Sequence, residues 1–444
     1  MPPSSPKARF SRVGSRFGFC CSCRAFPEGD FLARYTISSM LTFDQARRAI
    51  IRELGLLADP TSLRREIASL SDSLGRTVAQ EIRADRPYPP FDRSIRDGYA
   101  VRAIEVSPGV KLRCIGELKA GDTPQISVSP GTCVQIMTGA AVPQGADAVV
   151  MTEHTRSDGD TIIFENTIAP GQHIVKRGAE AANGHPFVIR GSRLGVAEIA
   201  AAAQVGAVEL QVYLKPRVAI LSTGDEVVSA ETTPGDFQIR NSNAYSLAAQ
   251  VSLTGGEPVV LTNAKDAEQD LHEKILQGLK EDMLILSGGV SAGKYDLVEK
   301  VLRDLGAEFF FDAVAIRPGK PTVFGICRGK PVFGLPGNPI STMVTFELFA
   351  SLAVQMLSGV KPGPLALLEA RLGEAMQEKT GLAHFLPSKL SWPDGTPTVT
   401  PIRWQGSGDL AAVAKSNCFL YIPADRSRYE CGEPVSVLPR RDVL

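Results

Sequence analysis

Three short apolar runs constrain most strongly what this chain can fold into. They lie at residues 217–221, 282–286 and 331–335, and each is followed at once by small, polar or acidic residues. Short, continuous apolar runs are typical of strands that are buried on both faces of a parallel sheet. Ligands of open α/β sheets bind just beyond the carboxyl ends of the strands. We therefore expect the segments that follow the runs to lie side by side and to form one pocket; these segments are residues 222–226, 287–293 and 336–339.

The chain is too long for a single core and carries no excess charge. Its 444 residues suggest about three or four domains. Lys and Arg together number 48, as do Asp and Glu, so charge gives no support for a nucleic-acid-binding or membrane-surface protein. The apolar stretch at 194–214 contains too many acidic and amide residues to cross a bilayer. We expect neither a nucleic-acid partner nor a membrane partner.

The cysteines indicate a reducing, cytoplasmic location. Cys20, Cys21 and Cys23 form a cluster, but no second pair and no His-x-His follows at the spacing of a zinc site. The other five cysteines are scattered singly in apolar segments, which is typical of free buried thiols.

Residues 1–39 are predicted to lie outside the fold. They are rich in Ser, Arg and Phe, poor in acids, and show neither helical nor strand periodicity. An organelle transit peptide has such a composition; the alternative is that translation starts at Met40. Thr42 and Gln45 form a capping box directly after Met40, with apolar residues at helical spacing behind it, and this favours the later start.

Changes in composition predict the domain organisation of the rest of the chain. A second helix is expected near 71–74, and short β-branched runs such as 125–128 and 161–164 indicate a small all-β module. A last helix is expected at 339–357, before a Pro-rich linker and a tail of short strands that is typical of a barrel. The expected units are an N-terminal helix at 40–60 that packs on the α/β domain, a stem at 61–90 and 176–213, an inserted β module at 91–175, the α/β domain at 214–360, and a small β-barrel at 364–444.

The second of the three polar segments resembles a phosphate-binding loop. Residues 288–294 have the glycine and lysine spacing of a P-loop, but the next residue is Tyr295, which cannot bind Mg²⁺ as a Ser or Thr would. Consecutive glycines still allow backbone N–H groups to face an anion, and Ser287 and Ser291 add hydroxyl donors. The segment is either a phosphate cradle or an ordinary structural turn.

Acidic residues follow two of the runs. Asp225 and Glu226 are adjacent carboxylates at the end of a buried strand, so they require a compensating cation unless the turn is solvated. Asp296, with Glu299 three residues later, has the pattern of a helix N-cap, which would explain it without a function.

Cations are expected in a separate turn at 317–321, and a hydroxyl just after the third segment. Arg317 and Lys320 flank a rigid Pro-Gly turn, where they either bind an oxyanion or face solvent. Asn338 and Pro339 have the pattern of a helix start, and Ser341 would then direct its hydroxyl at an anion near that helix terminus. In the inserted module, Asp97-Gly98 before an alternating run is an ordinary hairpin signal.

Seven motifs in fixed order resemble one family. Together they are similar to the MoeA family of molybdopterin molybdenumtransferases, which includes the E domain of gephyrin. The resemblance covers about residues 40–444. The motifs are residues 91–101 (FDRSIRDGYAV), 136–140 (IMTGA), 145–150 (GADAVV), 221–226 (LSTGDE), 287–291 (SGGVS), 318–321 (PGKP) and 335–341 (LPGNPIS).

The resemblance implies an activity and an architecture. Family members insert molybdate into adenylylated molybdopterin with release of AMP, and they use a divalent cation, usually Mg²⁺. They are dimers in which the inserted module leans over the α/β domain of the partner subunit, so that the site is shared. The implied fold class is multidomain α/β, with a three-layer molybdopterin-binding domain, an inserted mainly-β domain, an elongated stem and a C-terminal barrel. A molybdopterin adenylyltransferase is a possible partner.

The resemblance also implies roles for particular residues. Asp97 and Thr138 would face the pocket from the inserted module, and Glu226, Asp266 and Asp296 from the α/β domain, with Glu226 and Asp296 as metal ligands. Molybdate would contact Arg317, Lys320 and Ser341. The pterin phosphate would be bound by Ser222, Thr223, Gly224, Ser287, Gly288, Gly289 and Ser291.

The chain departs from the family pattern at three places. The family commonly shows Arg-Gly-Glu-Asp where this chain has residues 177–180, with Ala179 and Glu180 in place of the two acids. Ala313 and Arg317 stand where many members carry Lys. Arg keeps the positive charge but not the compact geometry of Lys, so these departures concern secondary contacts.

Two other functions are compatible with parts of this sequence. The adenylyltransferases of the preceding step share the α/β domain, but they are small proteins without the inserted module and the tail. A non-catalytic molybdopterin-binding scaffold is the alternative from another class; retention of Glu226 and Asp296 argues against it.

Overall fold

The structure is a computed structural model that describes residues 40–289 and 297–443. The expectations for residues 1–39, for Ser291 and for Asp296 lie outside the described residues.

The first helix begins where its capping box predicts. Helix α1 spans Phe43–Leu57 with Thr42 as its N-cap. The Gln45 N–H donates to Oγ1 of Thr42 over 3.3 Å, and the Thr42 N–H donates to Oε1 of Gln45 over 2.8 Å, which completes the box. Ile50 and Leu54 are fully buried in the core that α1 shares with the α/β domain. The predicted helix is confirmed.

The stem is a two-part segment interrupted by the inserted module. The predicted helix near 71–74 is wrong, because only a single 3₁₀ turn forms, at Leu70–Asp72. The Ser69 hydroxyl caps this turn by accepting from the Asp72 N–H. Gly75, with φ +74°, then changes the direction of the chain. The elements from the stem through the module and back are β1 Arg65–Ser69, β2 Ile82–Arg83, β3 Arg93–Ser94, β4 Gly98–Val101, β5 Lys111–Leu118, β6 Thr132–Ile136, β7 Ala148–Met151, β8 Thr155–Asp158, β9 Thr161–Phe164, β10 Ile174–Val175, β11 Pro186–Val188, α2 Val196–Gln204 and β12 Glu209–Tyr213.

Both halves of the stem pair with each other. Strand β1 is antiparallel to β12 and β2 to β11, while β3 and β10 pair where the chain enters and leaves the inserted module. The alanine-rich part of the second half forms α2.

The inserted module is a six-stranded sheet with the order β7-β4-β6-β5-β9-β8. Two expectations are wrong here. The β-branched run at 125–128 forms no strand, since Val128 makes a single backbone bond to Gln144 instead of a ladder. Asp97-Gly98 forms no hairpin, because β3 and β4 pair with other strands. Position 98 requires glycine because β4 and β7 approach each other closely there: a Cβ would lie 1.9 Å from the Val150 carbonyl oxygen.

The α/β domain follows. Its elements are β13 Arg217–Ser222, β14 Val227–Val228, β15 Ile239–Arg240, α3 Ser242–Thr254, β16 Glu257–Val260, α4 Glu268–Gly278, β17 Met283–Ser287, α5 Leu297–Asp304, β18 Glu308–Phe311, β19 Ile316–Arg317, β20 Val323–Cys327, β21 Lys330–Leu335, α6 Pro339–Thr345, a π-helical turn at Phe346–Ala350, and α7 Ser351–Leu357.

The central sheet is parallel where the apolar runs predict it. Its order is β16-β13-β17-β21-β20-β18; the first four strands are parallel to one another, and β20 is antiparallel to both of its neighbours, β21 and β18. Alternate residues of one strand enter different cores: Val218 and Ile220 face one side, Ala219 and Leu221 the other. Both faces are therefore covered, and the three-layer α/β domain is confirmed.

One helical run among the described residues, Pro339–Leu357, is long and apolar enough to cross a membrane. Because 83% of its apolar window is buried inside the protein, it is the central core helix of the α/β domain.

The C-terminal residues form a closed barrel, as expected. Strands β24, β25, β22, β28 and β26 form a ring that the β24–β26 pairing closes, and β19 of the α/β domain adds to β24. The elements are β22 Leu368–Leu372, β23 Met376–Gln377, β24 Ala383–Ser391, β25 Thr398–Pro401, α8 Leu410–Lys415, β26 Cys418–Ile422, β27 Arg428–Tyr429 and β28 Pro434–Pro439.

The described cysteines are free. Cys133, Cys327 and Cys418 are buried as expected, whereas Cys431 is exposed, so the expectation of burial was wrong for that residue.

Candidate functional site

The three polar segments meet at the carboxyl edge of the parallel sheet. The Thr223 N–H donates to the Ser287 carbonyl over 3.0 Å, and the Gly288 N–H donates to the Leu335 carbonyl over 3.1 Å. Gly337 approaches so closely that a Cβ on it would lie 3.5 Å from Cα of Gly288. The predicted convergence of the three segments is confirmed.

The middle segment has the backbone of a close-approach loop. Gly288 and Gly289 have φ of +92° and +65°, values that L side chains rarely adopt. A Cβ on Gly289 would lie 2.8 Å from the Thr223 hydroxyl oxygen. That oxygen is buried and, among the described residues, has no hydrogen-bond partner. A buried hydroxyl without a partner beside two glycines is a donor that an anionic ligand can satisfy.

Two asparagines at the start of α3 connect these segments, and sequence reasoning missed them. The amide nitrogen of Asn243 donates to the Ser287 hydroxyl over 2.8 Å and to the Gly337 carbonyl over 2.7 Å. Oδ1 of Asn243 is buried and makes no hydrogen bond within the described part of the chain. Asn241 accepts from the Ser222 hydroxyl over 3.2 Å and caps α3. The available signal was the Asn-Ser-Asn sequence before a helix, which helix capping alone would also explain.

Carboxylates gather on one side of the edge. The Asp266 N–H donates to Oδ1 of Asp225 over 3.3 Å. The Glu226 carboxylate folds over Gly224, where a Cβ would lie 2.5 Å from its Oε2. Desolvation, and after it the negative charges of Asp225 and Glu226, raise the pKa of Asp266. The Asp266 side chain is exposed, so a cation can reach it. A bound cation would relieve the part of the pKa increase that comes from the like charges of Asp225 and Glu226.

The carboxylate oxygens of this group are suitable ligands for Mg²⁺, because that ion prefers carboxylate and water oxygens. Among residues 40–289 and 297–443, no three such groups stand close enough to enclose a metal by themselves. Mg²⁺ ordinarily completes its shell with water and substrate phosphates, so a partial protein set is compatible with it.

Cations lie in the turn before β20, whose first residue, Val323, pairs with Gly334 near the carboxyl end of β21. Arg317 and Lys320 are exposed, and within the described ranges neither makes an ion pair or a side-chain hydrogen bond. The turn between them packs against the helix that carries Ser341: a Cβ on Gly319 would lie 2.3 Å from Cγ2 of Thr345. Ser341 itself is buried in the first turn of α6, where Asn338 occupies the N-cap position without a side-chain bond. Two uncommitted cations and a helix start are therefore available to an oxyanion.

Asp97 and Thr138 form a separate pair on the inserted module. Both are exposed, and Asp97 accepts from the Thr138 N–H and hydroxyl. In the described part of the chain, no hydrogen bond or ion pair joins either residue to residues 214–360. Glu180, in the second half of the stem, forms an ion pair with Arg93 of the inserted module.

The fold and the site together define a class of protein. A parallel sheet binds ligands at its carboxyl edge, and here that edge combines glycine turns, carboxylates and free cations, as in α/β proteins that bind phosphorylated ligands. Three family models match in order: the MoeA N-terminal region (domains I and II) at 41–206, a probable molybdopterin binding domain at 219–355 and the MoeA C-terminal region (domain IV) at 369–439.

Relatives match over most of the length. A molybdopterin molybdenumtransferase of Nostoc is 33% identical over 384 residues, which is 84% of this chain and 88% of the relative. The protein of that name from Bacillus subtilis is 33% identical over 388 residues, 85% of this chain and 90% of its own length. The crystal structure of a molybdopterin biosynthesis MoeA protein from Pyrococcus horikoshii OT3 is 26% identical with a TM-score of 0.74, and the match covers 90% of this chain and all of that one (100%). The chain belongs to the MoeA family of molybdopterin molybdenumtransferases.

Proposed function

We propose that this chain is a molybdopterin molybdenumtransferase, which inserts molybdate into adenylylated molybdopterin and releases AMP in molybdenum cofactor biosynthesis. The observation that carries the proposal is that a glycine loop, a carboxylate group and a turn with two uncommitted cations all lie at strand ends of the same sheet edge. The full-length similarity to relatives of that name supports the same assignment.

The glycine loop is assigned to the phosphate end of the pterin. Thr223, whose buried hydroxyl has no partner among the described residues, lies against Gly288-Gly289 and provides a donor for a phosphate oxygen. The remaining residues assigned to this end are Ser222, Gly224, Ser287 and, outside the described residues, Ser291.

The oxyanion is assigned to the cation side. Arg317 and Lys320 are free of competing carboxylates in the described ranges, and Ser341 lies in the first turn of α6. Charge-assisted contacts from a guanidinium and an ammonium hold a dianion such as molybdate in place.

The carboxylate side is assigned to Mg²⁺. Glu226 and Asp296 would hold the ion, with Asp266 next to them; Asp296 lies outside the described residues. When bound, Mg²⁺ neutralises charge on the phosphate of the adenylate. The protein residues themselves orient the two substrates and stabilise charge while the pyrophosphate linkage breaks and AMP leaves.

We further propose that the site is shared between two subunits of a cytoplasmic homodimer, so that Asp97 and Thr138 act on the α/β domain of the partner subunit. The proposal is supported by their exposure and by their lack of bonds to the α/β domain of their own chain in the described residues. A molybdopterin adenylyltransferase would supply the adenylylated substrate and is a natural transient partner.

The test is molybdate-dependent release of AMP. The purified chain is incubated with adenylylated molybdopterin, Mg²⁺ and molybdate, and AMP is followed by chromatography. Release that is lost in Glu226→Gln and Asp296→Asn, but kept in the surface control Glu273→Gln, supports the transferase and its metal site. Binding of the adenylate without release of AMP would overturn it in favour of a molybdopterin-binding scaffold, and release that persists with excess chelator would overturn the Mg²⁺ assignment.

A further inference from the structure

The segment that carries Arg317 is held by the C-terminal barrel. Strand β19 pairs in parallel with β24, and Arg317 is in register with His384. The Ala383 N–H donates to the Ala315 carbonyl over 3.0 Å and fixes the same junction. Residues in register on neighbouring strands present their side chains on the same face of a sheet, so Arg317 and His384 are direct neighbours.

His384 is a buried titratable group that the proposed reaction does not use. It is only 1% exposed, and its Nδ1 lies 2.9 Å from Oε2 of Glu378. The ring N–H is not directed well enough at the carboxylate to form a hydrogen bond, so the two groups are in close contact without one. Glu378 is held in place by its own N–H, which donates to the Ser427 carbonyl over 2.8 Å.

Charges of opposite sign bear on the His384 ring. Burial lowers the pKa of His384, the Glu378 carboxylate acts against this shift, and the Arg317 guanidinium adds to it; the resulting pKa lies below the ordinary value. The imidazole is therefore neutral at pH 7, next to a carboxylate and a guanidinium. Within residues 40–289 and 297–443, Arg317 makes no ion pair, and the only ion-pair contact of Glu378 is the one with His384.

We propose that His384 is a positioning residue for Arg317: its buried ring packs against the Glu378 carboxylate and keeps it from pairing with Arg317, which leaves the guanidinium free for the oxyanion substrate. Without the ring, an Arg–carboxylate pair is the stronger contact available to Glu378. Such a pair would withdraw Arg317 from the carboxyl edge of the sheet. The inference rests on the proposed role of Arg317 in binding molybdate.

The test compares single and double variants of the full chain. Molybdate affinity is measured by titration calorimetry, and KM for molybdate and kcat by AMP release. We expect His384→Ala to weaken molybdate binding roughly tenfold, the loss of one charge-assisted contact, with kcat little changed. We expect the double variant His384→Ala with Glu378→Gln to recover affinity, because Arg317 then has no carboxylate to pair with. His384→Gln, which keeps a neutral polar side chain in place, is expected to bind nearly as wild type.

The controls separate positioning from loss of structure. His272→Ala, on the exposed face of α4, is expected to leave affinity unchanged. If His384→Ala does not fold, His384→Ser is the second small variant, with a hydroxyl left in the buried place. A folded small variant that binds molybdate like wild type, or a double variant as weak as the single one, overturns the inference.

Failure of the inference is distinguishable from failure of the proposed function. If wild type releases AMP but substitutions of His384 leave the molybdate affinity unchanged, only the inference is overturned. If wild type releases no AMP, the transferase proposal fails, and calorimetry alone then decides whether His384 controls oxyanion binding; absence of molybdate binding to wild type overturns both.

Discussion

Oδ1 of Asp97 accepts two hydrogen bonds from Thr138, one from the backbone N–H over 2.6 Å and one from the hydroxyl over 2.8 Å. The backbone bond first, and then the hydroxyl bond, lower the pKa of Asp97, so its carboxylate is charged at neutral pH. Asp97 lies just before β4 and Thr138 just after β6, so two neighbouring strands hold one oriented acid at the surface of the inserted module.

Asp97→Asn is expected to reduce kcat/KM for AMP release by roughly tenfold or more, because it removes a prearranged charge from the proposed shared site. Both residues are exposed, so the free energy of unfolding should change by no more than about 0.5 kcal/mol. Steady-state kinetics and thermal unfolding measure the two quantities. Asp158→Asn, an exposed acid on β8 of the same module, is the control and should change neither. Unchanged kinetics in Asp97→Asn would remove Asp97 from the site.

Mixing two impaired variants tests the shared site directly. If Asp97 serves the α/β domain of the partner subunit, a heterodimer of Asp97→Asn and Glu226→Gln has one intact site and one doubly damaged site. Random pairing of equal amounts gives about half heterodimers, so about a quarter of wild-type AMP release should return. The assay is AMP release after the two proteins are exchanged and re-equilibrated. No recovery, despite verified subunit exchange, would place Asp97 and Glu226 of one chain in the same site.

Asn243 is expected to matter for both binding and stability. Asn243→Ala removes the donors to Ser287 and Gly337 and so loosens two of the three segments at the sheet edge. The cost should be about 1–3 kcal/mol of stability, as for other buried hydrogen bonds, together with weaker binding of the adenylate. Asn417→Ala is the matched control, since Asn417 makes two hydrogen bonds to Leu390 in the barrel. Equal loss of adenylate affinity in the two variants would mean that Asn243 acts only through global stability.

The parts of the fold that followed from sequence are those set by local pattern. Buried strands need continuous apolar residues, so the runs ending at Leu221, Leu286 and Leu335 identified the sheet and hence the edge where the polar segments meet. The capping box at Thr42 is likewise complete within four residues of sequence. Neither inference required knowledge of distant contacts.

The parts that did not follow depend on distant partners. Asn243 bonds to residues 44 and 94 positions away, and nothing next to it in sequence distinguishes this role from that of a helix cap. The run at 125–128 has strand-forming side chains, but the Val128 N–H donates to the Gln144 carbonyl and not to a neighbouring strand. Gly98 was interpreted as a turn residue, yet the carbonyl of Val150 on β7 is what excludes a side chain there.

The turn that carries the cations is sensitive to a single methyl group. Gly319→Ala would place its Cβ 2.3 Å from Cγ2 of Thr345, at a backbone φ of +108°. Gly329→Ala meets the same kind of backbone strain, at φ +74°, with no atom within 4 Å. We expect Gly329→Ala to cost about 1 kcal/mol of stability, and Gly319→Ala about 1–3 kcal/mol more through overpacking. Only Gly319→Ala should also raise KM for molybdate, because it moves Arg317 and Lys320; equal effects of the two variants on KM would contradict this.

The His384 pair gives the stability of the protein a defined pH dependence. Burial, with a contribution from Arg317, lowers the pKa of His384 from its ordinary 6.5. The unfolded chain therefore takes up this proton at a higher pH than the folded chain does. The contribution of neutral His384 to the free energy of unfolding is fully present above about pH 6.5 and falls as the pH drops from there towards the lower folded pKa. His384→Gln removes this group, and its thermal midpoint should decline less than that of wild type between about pH 7 and pH 5.5. Parallel curves for wild type and His384→Gln would show that the folded and unfolded chains bind this proton equally well.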